Sequence, residues 1–164
     1  MKLNLCSGQR PFDKPWVNVD VQPRWNPDLC CDVSKLPYED GAADMIVIHQ
    51  GLEHFGLTEG VDLLKECHRA LASGGSLIVF VPDQAALAKK WLAGEINDYI
   101  YTVNMMGAYM GDEADRHRWG YCYRSLREAM VEAGFRKVGM FDWRAIPGAD
   151  LARDWWVLAA EGMK

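Results

Sequence analysis

The stretch Lys2-Leu3-Asn4-Leu5-Cys6-Ser7-Gly8 decides how the rest of the chain is read. Four residues with leucine at alternate positions run into a tight loop of small ones, as a short buried strand does when it ends at a turn. Trp16-Val17-Asn18-Val19-Asp20 follows, again apolar and again closed by a carboxylate. Strand, small-residue turn, strand and terminal acid is how an α/β sheet builds a nucleotide-sized crevice. The turn lets backbone approach a ligand, and the acid accepts hydrogen bonds from ribose hydroxyls. A dinucleotide site wants G-x-G-x-x-G, to wrap a pyrophosphate. The loop here offers only Ser7-Gly8-Gln9-Arg10, which argues against a dehydrogenase and for a ligand without phosphates.

Working outward, Gln9 to Pro15 contains two prolines and forbids an ordinary helix. Parallel strands are normally joined by a dozen or more residues, most often helical. Either the two strands are not parallel neighbours, or the fold has lost a helix and bridges them with a loop. A third short run, Pro27 to Val33, passes through Asp32. Ala43 to His49 is a continuous apolar strand with polar ends, as when both faces are covered. Thr58 is placed to cap a helix over 59–72, with Val61, Leu64, Cys67 and Leu71 at helical spacing and Gly74-Gly75 as its stop. Ser76 to Val81 reads as a fifth strand. Residues 84–110 are helical but interrupted at Gly94 and Gly107, and 112–123 reads as a polar, aromatic loop. Ser125-Leu126-Arg127-Glu128 has the form of a capping box opening a helix that Gly134 ends. Phe135–Trp143 and Asp154–Glu161 read as two last strands, joined near Pro147-Gly148 into an antiparallel hairpin.

The chain has 164 residues, 49% hydrophobic and 25% charged, with a net charge of −5. That is one domain, 1–164, with a sizeable core and no overall basic footprint for nucleic acid. No apolar run reaches the roughly 20 residues that span a bilayer. The five cysteines are odd in number and lack a C-x-x-C spacing; with no signal peptide in view, they predict reduced thiols in a cytoplasm.

Successive strands therefore end at Gly8, Asp20, Asp32 and His49. In an open α/β sheet the carboxyl ends of the strands are where ligands bind. Asp20 is expected to hold a ribose, and Asp32 with the Val33 amide to read an adenine edge. Residues 49 to 51 (His49, Gln50, Gly51) are expected to meet the remainder of the ligand.

The ordered set Leu3–Gly8, Asn18–Val21, Cys31–Val33 with Leu36-Pro37-Tyr38, Leu52-Glu53-His54-Phe55, Leu71–Gly75 and Val81-Pro82-Asp83 resembles the class I S-adenosylmethionine-dependent methyltransferases, in particular their small type 11 subgroup. The resemblance covers about residues 2 to 83. It implies a Rossmann-like sheet of about seven strands with the last antiparallel, here with the first crossover shortened and the usual N-terminal helices missing. It also implies S-adenosyl-L-methionine as cofactor, held by Cys6, Ser7, Gly8, Asp20, Val21, Asp32, Val33, His49, Gln50 and Gly51. Ser7 stands where the family usually has a glycine.

The methyl acceptor is not identified by the sequence, and a module that binds S-adenosylmethionine or its demethylated product without turnover is the alternative. Methyl transfer relies on positioning and needs a base only where the acceptor loses a proton. His117, with an ordinary pKa near 6.5, is the expected acid/base group and His54 a weaker one. Trp119 and Tyr121 are expected to wall the acceptor pocket. His49 and His54 are five apart rather than four, so no metal site is expected. The short 9–16 loop leaves one sheet face to be covered by residues 84–110 or by self-association into a homo-oligomer.

Overall fold

A computed structural model describes residues 1–108, 113–146 and 154–164. Seven strands form one sheet among them: β1 (Lys2–Leu5), β2 (Trp16–Asp20), β3 (Leu29–Cys30), β4 (Ala43–His49), β5 (Leu71–Pro82), β6 (Arg136–Met140) and β7 (Val157–Met163). Their spatial order is β3-β2-β1-β4-β5-β7-β6. The first five are mutually parallel, and β7 runs antiparallel to both β5 and β6. The hairpin of the last two strands is thus present; its predicted turn at Pro147-Gly148 lies outside the described residues.

One face of the sheet is covered by α1 (Leu57–Ala70) and α4 (Tyr123–Glu132). Leu3, Leu5, Ile46, Ile48, Leu77 and Val79 point into this core and meet Leu63, Leu64, Cys67, Leu126 and Met130. The alternate residues Val47, Ile78, Phe80 and Ala159 face the other way, as period-2 side chains must. There they pack with Phe12, Trp16 and Ile146, flanked by Phe141 and Trp143. Among the described residues no α-helix contributes to this second cluster. Of the two covers expected for this face, the described residues of 84–110 contribute nothing to the cluster; they form α2 (Gln84–Leu92) and α3 (Asp98–Met106). The rings of the first crossover and of residues 141–146 take the helices' place.

The first two strands are parallel neighbours joined by a loop, and Asn18 explains how. Its buried side chain accepts from the Phe12 N–H at 2.8 Å and donates to the Phe12 carbonyl at 2.9 Å. It also accepts from Asn4 Nδ2 at 2.9 Å. One amide thereby satisfies both backbone groups of Phe12, which a helix would have satisfied internally.

Three helix boundaries differ from the sequence reading. Thr58 lies inside α1; Gly56 is the N-cap, and its N–H is taken by the Glu59 carboxylate at 2.9 Å. Helix α1 ends at Ala70 and passes directly into β5, so Gly74-Gly75 sits within that strand, where the register against β4 shifts. Helix α4 starts at Tyr123 with Cys122 as N-cap, and Ser125 Oγ accepts from the Cys122 N–H at 3.0 Å. In both helices a side chain in the first turn reaches back to the cap residue, which spacing alone places a few residues late.

Candidate functional site

The carboxyl ends of β1, β2 and β4 open onto a cavity of about 370 Å³. Cys6, Gly8, Asp20, Val21, Asp32, Val33, Gln50 and Gly51 all line it. Two non-glycine residues there, Cys6 and Gln50, hold positive φ of 55° and 52°. Such a backbone costs free energy and persists only where packing over-determines it, which is common around binding sites. Gly51 is required by close approach. A Cβ on it would lie 2.4 Å from Cys6 Cβ, so the turn after β4 and the turn after β1 close on each other only with glycine there.

Asp20 is 7% exposed, and its two oxygens accept from the N–H of Gly8 and of Gln22, each at 2.8 Å. This fixes the carboxylate at the cavity floor and ties it to the glycine turn, with lone pairs left for further donors. Asp32 accepts from the Ser34 N–H at 2.9 Å, and the Ser34 backbone and hydroxyl hold its pKa below the usual carboxylate range. It stays ionised at neutral pH. Burial, reinforced by Asp20, pushes the Cys6 thiol far up, so it is a small apolar wall and not a nucleophile.

Two expected cofactor residues are placed elsewhere. Ser7 is buried, its N–H donating to Val19 O at 3.1 Å and its carbonyl accepting from the Arg10 N–H at 2.8 Å; it shapes the loop beneath the cavity. His49 does not line the cavity. Its ring packs against Phe12 and Phe80 on the helix-free face. Burial, and then the Arg10 charge, push its pKa down to about 4. The strand's alternation turns His49 away from the site, while Gln50 and Gly51 beyond it face in.

The acceptor side differs more. Tyr121 is 1% exposed and belongs to the core. It sits against Gly60 of α1, where a Cβ would approach its hydroxyl to 2.8 Å, and so it walls no pocket. Trp119 is 42% exposed. With His117, Met105 and Gln84 it lines a separate cavity of about 300 Å³. His117 has its pKa pushed down to about 4, by burial first and the neighbouring His54 second. A base that weak draws a proton poorly at neutral pH, and the ordinary value near 6.5 does not apply. Of the aromatic loop expected over 112–123, residue 112 lies outside the described residues.

What the sequence reading missed is the meeting of His117 with Glu53 and His54. The short turn Leu52–His54 after β4 carries the last two. The Glu53 carbonyl accepts from the N–H of Arg118 at 2.8 Å and of Trp119 at 3.1 Å. That pins residues 116–119 onto the turn and brings the rings of His54 and His117 to 5.0 Å, edge to face. No local spacing rule connects residues so far apart in the chain.

This sheet order, with its antiparallel final strand and its cavity at the strand ends, is the fold of the class I S-adenosylmethionine-dependent methyltransferases. Residues 13–79 match the family model described as a methyltransferase domain. A Thermotoga maritima S-adenosylmethionine-dependent methyltransferase, described as a possible histamine N-methyltransferase, superposes with a TM-score of 0.65 at 16% identity, over 99% of this chain and 81% of that one. An Archaeoglobus fulgidus methyltransferase does so with 0.67 at 12% identity, over 99% and 85%. In sequence, the chain is 40% identical over 68 residues, 42% of its length, to ribosomal RNA-processing protein 8 of Caenorhabditis briggsae, and that match spans only 18% of the relative. The matched segment covers less than half of the chain, and the superposed structures share its fold.

Proposed function

We propose that residues 1–164 form one domain that binds S-adenosyl-L-methionine and transfers its methyl group to an acceptor. The observation that carries this is the cavity at the strand ends, with Gly8, Asp20 and Asp32 arriving on it from successive turns. Its volume and its mixture of apolar walls with the carboxylates of Asp20, Asp32 and Asp115 fit a nucleoside-sized ligand. Asp20 would hold the ribose hydroxyls, Asp32 and Val33 the adenine, and Gln50 and Gly51 the amino-acid end. Bound there, the cofactor supplies a methyl group on a sulfonium, an electrophile that needs no activation by the protein. The chain's part is to orient it and to exclude water, and positioning of this kind accounts for several kcal/mol of a barrier. His54, at the cavity rim, and His117 beside it would face the acceptor.

Supporting a cytoplasmic setting, all five cysteines are free thiols, and no described helix is long and apolar enough to cross a membrane. The name of the RNA-processing relative does not extend to the acceptor here, since that protein is matched over so little of its length.

Calorimetry with S-adenosylhomocysteine tests the reading. The wild type should bind. Asp20→Ala should weaken binding at least tenfold, because a charge-assisted hydrogen bond contributes about 1.5–3 kcal/mol. Circular dichroism verifies that the variant is folded. Unchanged affinity in a folded variant would remove Asp20 from the site.

A further inference from the structure

Glu53, His54 and His117 each present one ligand atom, and these three atoms all lie within 4.8 Å of one another. The rings are held for the purpose. His54 Nδ1 faces the Arg116 carbonyl at 3.0 Å, and His117 Nδ1 faces the Asn104 carbonyl at 3.1 Å. A ring nitrogen facing a carbonyl oxygen must carry the proton, so in both rings the bare lone pair is on Nε2. A backbone carbonyl on the far nitrogen is how proteins orient metal-ligating histidines and fix their tautomer.

The third member is independently in need of a partner. Glu53 is 2% exposed, and its Oε2 has no hydrogen-bond partner. A buried carboxyl oxygen without a partner is costly; a cation at this position removes that cost. The approach to the cluster is open, because His54 and His117 both line a cavity of about 440 Å³ bounded by Gln9, Arg24 and Trp25. His54 also borders the cavity at the strand ends. The group therefore joins the two spaces rather than lying sealed in the core.

We infer that Glu53, His54 and His117 form a binding site for a first-row divalent transition-metal ion, with zinc as the reference ion. Two imidazoles and one carboxylate are a donor set that suits zinc and its neighbours. Three protein ligands leave a coordination position free, as in sites that engage a further molecule. That position is where an oxygen or nitrogen of the acceptor would bind and be oriented; this last clause rests on the proposed methyl transfer, whereas the metal site itself rests only on the three side chains.

The experiment is zinc titration of the chelator-stripped full chain against a chromophoric competitor, with cobalt(II) as a spectroscopic probe. One equivalent should bind, and cobalt should give visible bands of a nitrogen- and oxygen-ligated site. Glu53→Gln and His117→Ala should each weaken zinc at least tenfold, while His68→Ala, away from the cluster, should leave it unchanged. Because Glu53 is buried, folding of each variant is followed by circular dichroism, and the half-buried His54→Ala serves if another fails to fold. Absence of stoichiometric zinc, or equal affinity in the folded ligand variants, overturns the site. Binding of S-adenosylhomocysteine to the wild type, measured on the same stripped sample, separates the two claims: zinc without cofactor strikes the proposed function, and cofactor without zinc strikes the metal site.

Discussion

Three titratable residues, the buried Glu53 and His49 and the half-buried His117, respond to pH in opposite directions. Burial pushes Glu53 from its ordinary 4.5 up to about 8. The fold therefore favours its protonated form: the contribution is fully present below about pH 4.5, erodes as pH rises, and is gone above about pH 8. His49 and His117 are pushed from 6.5 down to about 4. The fold favours their neutral rings, so their contribution is complete above pH 6.5 and is lost as pH falls through 4. For His49 alone this amounts to roughly 3 kcal/mol, at 1.36 kcal/mol for each unit of pKa. Melting temperatures at stepped pH, with a chelator present, check both legs. His49→Phe should flatten the fall between pH 6.5 and 4, and Glu53→Gln the fall between pH 4.5 and 8. Unchanged slopes would take these residues out of the pH response.

At the level of elements, the first crossover depends on one side chain. Asn18→Ala removes the bonds to both backbone groups of Phe12 and leaves them buried and unpaired. A loss of about 2–4 kcal/mol is expected in urea unfolding, since each unsatisfied buried group costs about 1–3 kcal/mol. A change within a few tenths would show that the loop is held otherwise. Strands were the most legible part of the sequence, because Leu3-Asn4-Leu5 and Ala43 to His49 are short, apolar and bounded by turn residues. The crossover was legible only as a conflict: two prolines deny the helix, but nothing local reveals that an asparagine side chain replaces it. The site was legible in proportion to its dependence on strand ends. Gly8, Asp20 and Asp32 sit where the order of strands puts them. His49 was misplaced by a single step of the pleat, and Glu53 with His117 went unseen because tertiary contact alone joins them.

On the scale of the whole molecule, the sheet carries helices on one face and rings on the other. Phe12, Trp16 and Ile146 are buried on that second face, while Met140 on the edge strand β6 is 72% exposed and, opposite Ala160, lies on the helix side. An edge strand with an exposed apolar side chain favours pairing with a second copy. Self-association is accordingly expected in light scattering at micromolar concentration, weakened by Met140→Glu. A mass of one chain at all concentrations would refute it.

The ten-residue link between β1 and β2 also bears on the order in which the chain assembles. Closing a loop costs about 3/2 RT ln n, so ten residues in place of the roughly thirty of a helical crossover lower the entropic cost by about 1 kcal/mol. Short sequence separation favours early contact. The search is correspondingly short for the two strands that carry Gly8 and Asp20. The floor of the cavity belongs to the fast part of folding, while the wall that holds His117 waits for residues more than a hundred positions from the start.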